Sequence, residues 1–238
     1  MRTKTLLAAA ILAAGLASSM AQNVYSLNIV GYVNLPIKAS GYSLLVNPLS
    51  QGVSNGGNEV LSFMLTDPKF DDSTIVLYDP VAIKYLFYQY DQATPGWLDA
   101  AGVPTSVPLI PPGTGFFFNN ASTNTSITLV GTVTPNPGIT NHALLRSGYS
   151  LVGSTLPIGG VPTNSGPNQL NMPFDTGGGS TLVTYFNGAY TFYANDGGWI
   201  NAAGNPGPQP VLSVGQGFFF NNNAGSAFTN WSQVLILP

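Results

Sequence analysis

The chain has 238 residues, of which only 6% are charged against about 25% in an ordinary globular protein, while 44% are hydrophobic and glycine and proline number 28 and 19. With no cysteine and a single histidine, disulfides, zinc sites and Cys- or His-based nucleophile systems are excluded. Six basic against nine acidic side chains provide no basic stripe to neutralise phosphates, so nucleic acid is not an expected partner.

Residues 1–21 read as a signal peptide, with Arg2 and Lys4 at the start, an apolar run over 6–16, and small Ser19 and Ala21 before the expected cleavage point. The run is too short to span a bilayer, so no membrane span is expected in a mature chain beginning at Gln22. Removing the leader leaves four basic residues, Lys38, Lys69, Lys84 and Arg146, against nine acidic ones, a net charge of −5. Such a chain must be held by burial and hydrogen bonds, which its length permits, since more than 150 residues bury roughly 70% of their unfolded surface.

The first strand expected after the leader is 26–34, containing Val30-Gly31-Tyr32-Val33, followed by 43–46, which starts inside Gly41-Tyr42-Ser43-Leu44. A helical turn or two is expected only over 58–65. Residues 74–78 and 84–90 form a hairpin whose loop carries Asp79-Pro80. Gly96-Trp97-Leu98-Asp99-Ala100-Ala101-Gly102 makes a glycine-tryptophan corner, Gly113-Thr114-Gly115-Phe116-Phe117-Phe118-Asn119-Asn120 a strand over 115–118, and 126–133 a closing strand. Three consecutive Phe break the alternation of a half-exposed strand, which predicts a strand covered on both faces with Phe116 and Phe118 in the core.

The chain then says the same thing again. The three motifs return as Gly148-Tyr149-Ser150-Leu151, Gly198-Trp199-Ile200-Asn201-Ala202-Ala203-Gly204 and Gly215-Gln216-Gly217-Phe218-Phe219-Phe220-Asn221-Asn222, and in both copies the third motif starts 17 residues after the second, at 113 after 96 and at 215 after 198. A repeat of about a hundred residues is the size of a small domain rather than of a solenoid unit. In the second copy 181–186 and 189–193 flank Asn187-Gly188, a pair suited to the positive φ angles of a type I′ turn. Strands at 150–152, 217–220 and 228–237 complete it, with Phe218 and Phe220 as core residues and 168–174 as a loose counterpart of 58–65. The expected fold class is all-β, two tandem β-sandwich or barrel modules, with 1–21 the leader, 22–134 copy one and 135–238 copy two.

Val30-Gly31-Tyr32-Val33 resembles Val130-Gly131-Thr132-Val133 at the end of copy one, and Trp231-Ser232-Gln233-Val234 holds the equivalent place in copy two. Three such strands for two modules leave one over. Either the junction strand is shared between the modules, or 26–34 pairs with something outside its own module, or it simply pairs at home. Val24 to Asn34, the Gly-Tyr-Ser-Leu starts, Asn47-Pro48-Leu49 and the Gly-x-Gly-Phe-Phe-Phe strands together resemble an uncharacterised family of exported tandem-repeat β proteins, mainly verrucomicrobial. The resemblance covers the whole mature chain and implies export and repetition; it brings no activity, ligand or catalytic residue.

Chemistry-bearing residues are few. His142 lies in the inter-module segment, and Gly52-Val53-Ser54-Asn55-Gly56 lacks the flanking strand and helix of a nucleophile elbow. Asp67, Asp71 and Asp72 cluster where oxygen ligands could hold Ca²⁺, but without EF-hand spacing a solvated turn is the better reading. Asp99 becomes Asn201 in copy two, so paired-carboxylate chemistry would be confined to copy one. Trp97 with Asp99 and Trp199 with Asn201 could each stack a sugar ring and bond its hydroxyls, or each Trp could plug one end of a β core. Tyr78, Tyr85, Tyr88, Tyr90, Tyr185, Tyr190 and Tyr193 could extend such a surface, although alternate members must face the core. The expected protein is therefore an exported, non-enzymatic structural or interaction protein of the cell surface, matrix or periplasm, without cofactor. It would assemble by donating strand 27–35 to a neighbour, or alternatively bind surface glycans through its loop tryptophans, with an enzyme as the remaining alternative.

Overall fold

A computed structural model describes residues 29–50, 68–93, 96–106, 108–133, 141–174, 177–223 and 228–236. They form an all-β protein, with one 3-10 turn at Pro68–Phe70 and no α-helix among them. The first half carries β1 (Ile29–Pro36), β2 (Gly41–Val46), β3 (Thr74–Asp79), β4 (Lys84–Asp91), β5 (Gly96–Leu98), β6 (Pro104–Thr105), β7 (Gly115–Asn120) and β8 (Ser126–Val133). The second carries β9 (Asn141–Arg146), β10 (Gly148–Val152), β11 (Gly177–Phe186), β12 (Ala189–Asp196), β13 (Trp199–Ile200), β14 (Phe218–Asn222) and β15 (Phe228–Gln233). One sheet runs β2-β7-β3-β4-β5-β6 and the other β10-β14-β11-β12-β13, the same order up to the edge strand β6, and each half adds a two-stranded ribbon, β1-β8 or β9-β15.

Local chemistry accounts for the strands that were legible. Asn187 and Gly188 have φ of 50° and 88°, with Phe186 opposite Ala189, which is the tight hairpin their sequence predicts. The longer β3–β4 loop is closed instead by Asp79, whose carboxylate accepts the N–H groups of Val81 at 2.9 Å and Ala82 at 3.1 Å. Those two bonds, Ala82 first, hold the carboxyl below its usual range. Phe116 and Phe118 lie in register with Leu45 and Ile75 on one face of their sheet, while Phe117 lies opposite Leu44 and Val76 on the other. All three rings are buried, so both faces of β7 are covered. Val33, Leu35, Ile127 and Leu129 of the first ribbon pack into the same core as Phe116 and Phe118, and Leu145 and Trp231 of the second into the same core as Phe218 and Phe220. Fully burying one such side chain contributes roughly 1.5–3 kcal/mol. One continuous cluster contains both sets, so the halves share a core.

The strand count corrects one expectation. Residues 141–146, read as a connecting segment around His142, form β9, which pairs with β15 from Asn141↔Gln233 to Arg146↔Phe228. It is the counterpart of β1, so each half has its own ribbon and no strand among the described residues is left over. β1 pairs with β8 along its whole length, from Ile29↔Val133 to Pro36↔Ser126, with Gly31 directly opposite Gly131. The likeness between Val30-Gly31-Tyr32-Val33 and Val130-Gly131-Thr132-Val133 is thus that of two partners facing one another. A Cβ on Gly31 would come within 2.8 Å of Val133 Cγ2 and 2.9 Å of Leu49 Cδ2, which explains a glycine there. The turn expected over 168–174 is irregular chain: Asn168 and Asn171 have φ of 59° and 53°, incompatible with a helix, while Leu170 and Met172 are buried. Residues 58–65 lie outside the described residues.

The halves meet along a seam with approximate two-fold symmetry. The Val46 N–H bonds the Gly215 carbonyl at 2.9 Å, and at the equivalent place the Gly153 N–H bonds the Gly113 carbonyl at 3.0 Å. Bridges Leu45↔Gln216 and Thr114↔Val152 are related in the same way. This contact explains the Gly-x-Gly motif. Its first glycine takes a positive φ, 88° at Gly113 and 75° at Gly215. Its second touches the other half's backbone: a Cβ on Gly115 would lie 2.9 Å from the Val152 nitrogen, and one on Gly217 2.5 Å from the Leu45 oxygen. At the axis itself Val46 meets its own equivalent, Gly153, where an added Cβ would sit 2.5 Å from the Val46 Cβ.

Candidate binding surface

The two tryptophan corners are not alike. Trp97 is 3% exposed and lies opposite Tyr90, with ring centroids 5.6 Å apart. The Asp99 carboxylate accepts the N–H groups of Ala101 at 2.8 Å and Val103 at 2.9 Å, closing its own turn. The ring is thus enclosed, and one oxygen of its Asp99 neighbour is spent on the turn. Trp199 is half-buried against Phe174, with centroids 5.2 Å apart, and Asn201 Oδ1 accepts from Ala203 at 3.0 Å and Asn205 at 3.1 Å.

The acidic residues also serve local structure. Asp71 Oδ1 accepts the Gln92 N–H at 2.8 Å and Asp72 Oδ1 accepts the Gln89 side-chain amide at 3.0 Å, whereas Asp67 and the 52–56 pentapeptide lie outside the described residues. Among the described residues no three His, Asp or Glu side chains gather to hold a metal.

A different surface emerges from strand parity. Tyr88, Tyr90 and Tyr193 turn towards the main core, and their alternates turn outward. Ser43 lies in register with buried Phe118, so its neighbour Tyr42 faces out; Ser150 opposite Phe220 does the same for Tyr149. At the seam the outer faces of the two sheets meet over a small second cluster of Leu44, Val76, Phe117 and Leu151, flanked by Tyr78, Tyr185 and Phe219. Phe117 and Phe219 face each other across the axis at 6.0 Å, and each meets a tyrosine of the opposite half, Phe117 with Tyr185 at 5.4 Å and Phe219 with Tyr78 at 6.3 Å. The aromatic row continues outward through Tyr78–Tyr85 at 5.3 Å and Tyr185–Tyr190 at 5.0 Å. Its outermost rings are open to solvent: Tyr42 is 41% exposed, Tyr85 45%, Tyr149 45% and Tyr190 60%.

Burial, and then the neighbouring phenols, push the hydroxyls of Tyr85 and Tyr190 above their ordinary pKa, Tyr78 acting on Tyr85, and Tyr85 and Tyr185 on Tyr190. Tyr85 belongs to the first half and Tyr190 to the second, so the effect of the one on the other, smaller than that of burial, acts across the seam.

Two crevices flank this row. The larger, of about 410 Å³, lies between Tyr42 and Leu44 of β2 on one side and Tyr185, Phe186 and Asn187 at the tip of the second-half hairpin on the other. The smaller, of about 350 Å³, is lined by Tyr78, Tyr85, Tyr149, Val183, Tyr190 and Phe219. The sequence already offered Tyr78, Tyr85, Tyr185 and Tyr190 as surface residues; Tyr42, Tyr149 and the paired Phe117 and Phe219 were missed. The serine after each of the first two was the available signal, since a buried strand that alternates small and large residues sorts its faces.

No helix among the described residues is long and apolar enough to cross a membrane. No protein-family model, curated protein or solved structure matches the chain.

Proposed function

We propose that the chain is an exported, non-enzymatic interaction protein that engages a partner through the tyrosine row at the seam. The observation that carries this reading is the gathering of Tyr42, Tyr85, Tyr149 and Tyr190, all substantially exposed, on one face astride the two-fold axis. Aromatic rings are enriched and charges depleted at the centres of protein interfaces, and a tyrosine supplies a large amphipathic contact with few torsions to immobilise. The reading of export rests on the leader at residues 1–21 and on the charge-poor composition. Assembly by donation of β1 is not part of the proposal, because β1 already has a full-length partner in β8. A neutral glycan is the second reading, favoured by the phenol hydroxyls and by Asn187 and Gln216 at the rim of the larger crevice.

The test is a Tyr85→Ser, Tyr190→Ser double variant of residues 22–238. Retention of the purified protein on the producing cell's envelope fraction is compared with retention on insoluble neutral glucans and chitin, with Tm measured in parallel. At least tenfold weaker retention on the envelope at unchanged Tm is expected. Retention on the glycans that the variant loses would favour the second reading, and a variant held as well as the parent would remove the tyrosine row as the binding surface.

A further inference from the structure

The larger crevice runs along an open strand edge. Strand β2 bonds β7 through its odd-numbered residues, so the N–H and C=O groups of Tyr42, Leu44 and Val46 point away from β7. The seam uses the far end of that edge, where the Leu44 carbonyl accepts from Gly217 at 3.2 Å and the Val46 N–H donates to Gly215. Among the described residues nothing bonds the N–H and C=O of Tyr42 or the N–H of Leu44. These three groups border the crevice, whose remaining walls include Leu35, Ile37, Tyr185 and Val214. Among the described residues Lys38 is the one charged side chain lining it, and it makes no ion pair with any of them.

We infer that this crevice accepts an extended peptide by strand addition at the β2 edge, with alternate apolar side chains seated against Leu35, Leu44 and Tyr185 and a carboxylate set against Lys38. The inference rests on the reading of this face as an interaction surface and specifies the class of partner. An unpaired edge supplies two to three main-chain hydrogen bonds of any sequence, and the walls supply selectivity through every second side chain. The mainly apolar lining favours such a peptide over a sugar, whose hydroxyls would need a polar partner at almost every position. Lys38 fixes the sign of the ligand's charge: its ammonium stands beside a crevice that offers it no counter-ion.

The probe is an array of synthetic heptapeptides alternating apolar and neutral residues, with one aspartate stepped through each position. The parent protein should retain peptides carrying the aspartate at one position only. Lys38→Gln should weaken them at least tenfold and abolish the preference for aspartate over asparagine. N-methylation of the peptide on alternate residues should abolish binding in one phase and leave it intact in the other, and the amide resonances of Tyr42 and Leu44 should shift on titration. An array without retained peptides, a pattern indifferent to Lys38, or shifts confined to other strands would overturn the inference. Because Lys38 and the β2 edge are separate from Tyr85 and Tyr190, an array without retained peptides while the Tyr85→Ser, Tyr190→Ser variant loses envelope retention would sink this inference alone, and envelope retention unchanged in that variant would sink the reading it rests on.

Discussion

Trp97 and Trp199 occupy the same place in the same repeated motif and have different surroundings. Trp97 is buried in the core with Tyr90 across the strand from it, whereas the residue across from Trp199 is Asn195, and Phe174 from the irregular 168–174 segment leans on the ring instead. Both corners keep the same turn, held by Asp99 in one half and Asn201 in the other. The repeated motif therefore specifies backbone geometry, while burial is decided by residues outside the motif. The same lesson holds at the axis, where the equivalents Val46 and Gly153 share a space that admits one side chain.

The corners should separate clearly on truncation. Trp97→Ala is expected to cost about 3–5 kcal/mol, as for other fully buried aromatics, and Trp199→Ala distinctly less. Equal shifts in denaturant midpoint at constant m-value would mean that the two rings do the same job. The axis offers a sharper test. Gly153→Val should destabilise by about 1–3 kcal/mol through the clash with Val46, and adding Val46→Gly should restore at least 0.5 kcal/mol of that, since the two sites are coupled. Strictly additive effects would dissolve the symmetry argued for the seam. Removing the turn-closing side chains by Asp99→Ala or Asn201→Ala should cost each corner about 1 kcal/mol, and similar values in thermal unfolding would show that the turns are interchangeable where the rings are not.

The smallest effect concerns the phenols. Burial and then neighbouring tyrosines raise the pKa of Tyr85 and Tyr190, so the folded state holds their protons longer than the unfolded chain. Their contribution to stability is complete below the ordinary tyrosine pKa of about 10 and is lost as pH rises through the higher folded values. In a tyrosinate absorbance titration, Tyr85→Phe should let Tyr190 ionise at lower pH, because a charge it would have to face is gone. An unmoved Tyr190 curve would place the two hairpins out of reach of one another.

What could be read from the sequence was local. The Asn187-Gly188 turn and the core positions of Phe118 and Phe220 follow from neighbouring residues alone, as does the alternation of the hairpin tyrosines between two faces, but which of them turn outward needed the register of the strands. Strand β9 escaped because Asn141-His142-Ala143-Leu144-Leu145-Arg146 has no β-branched residue and no clear alternation. The seam escaped for a different reason: a glycine required by close approach looks like any other until the chain that approaches it is known. Gly217 is explained by Leu45, and the two are far apart in sequence. Trp97 could be read as a core plug or as a stacking platform, and its motif could not decide between them because Tyr90, which packs against the ring, is not part of it.

The ribbon of β1 and β8 also sets an order of events. Ile29 is among the first residues of β1 to leave the ribosome, and its partner Val133 follows roughly a hundred residues later. Until then β1 remains an apolar strand with both edges open, the state most prone to pair with the wrong chain. Closing so large a loop also makes for slow folding, because its entropy is lost before the contacts that offset it form. Folding of the first half should accordingly be limited by arrival of β8, and a chain halted before residue 126 should depend on a holding chaperone to stay out of aggregates.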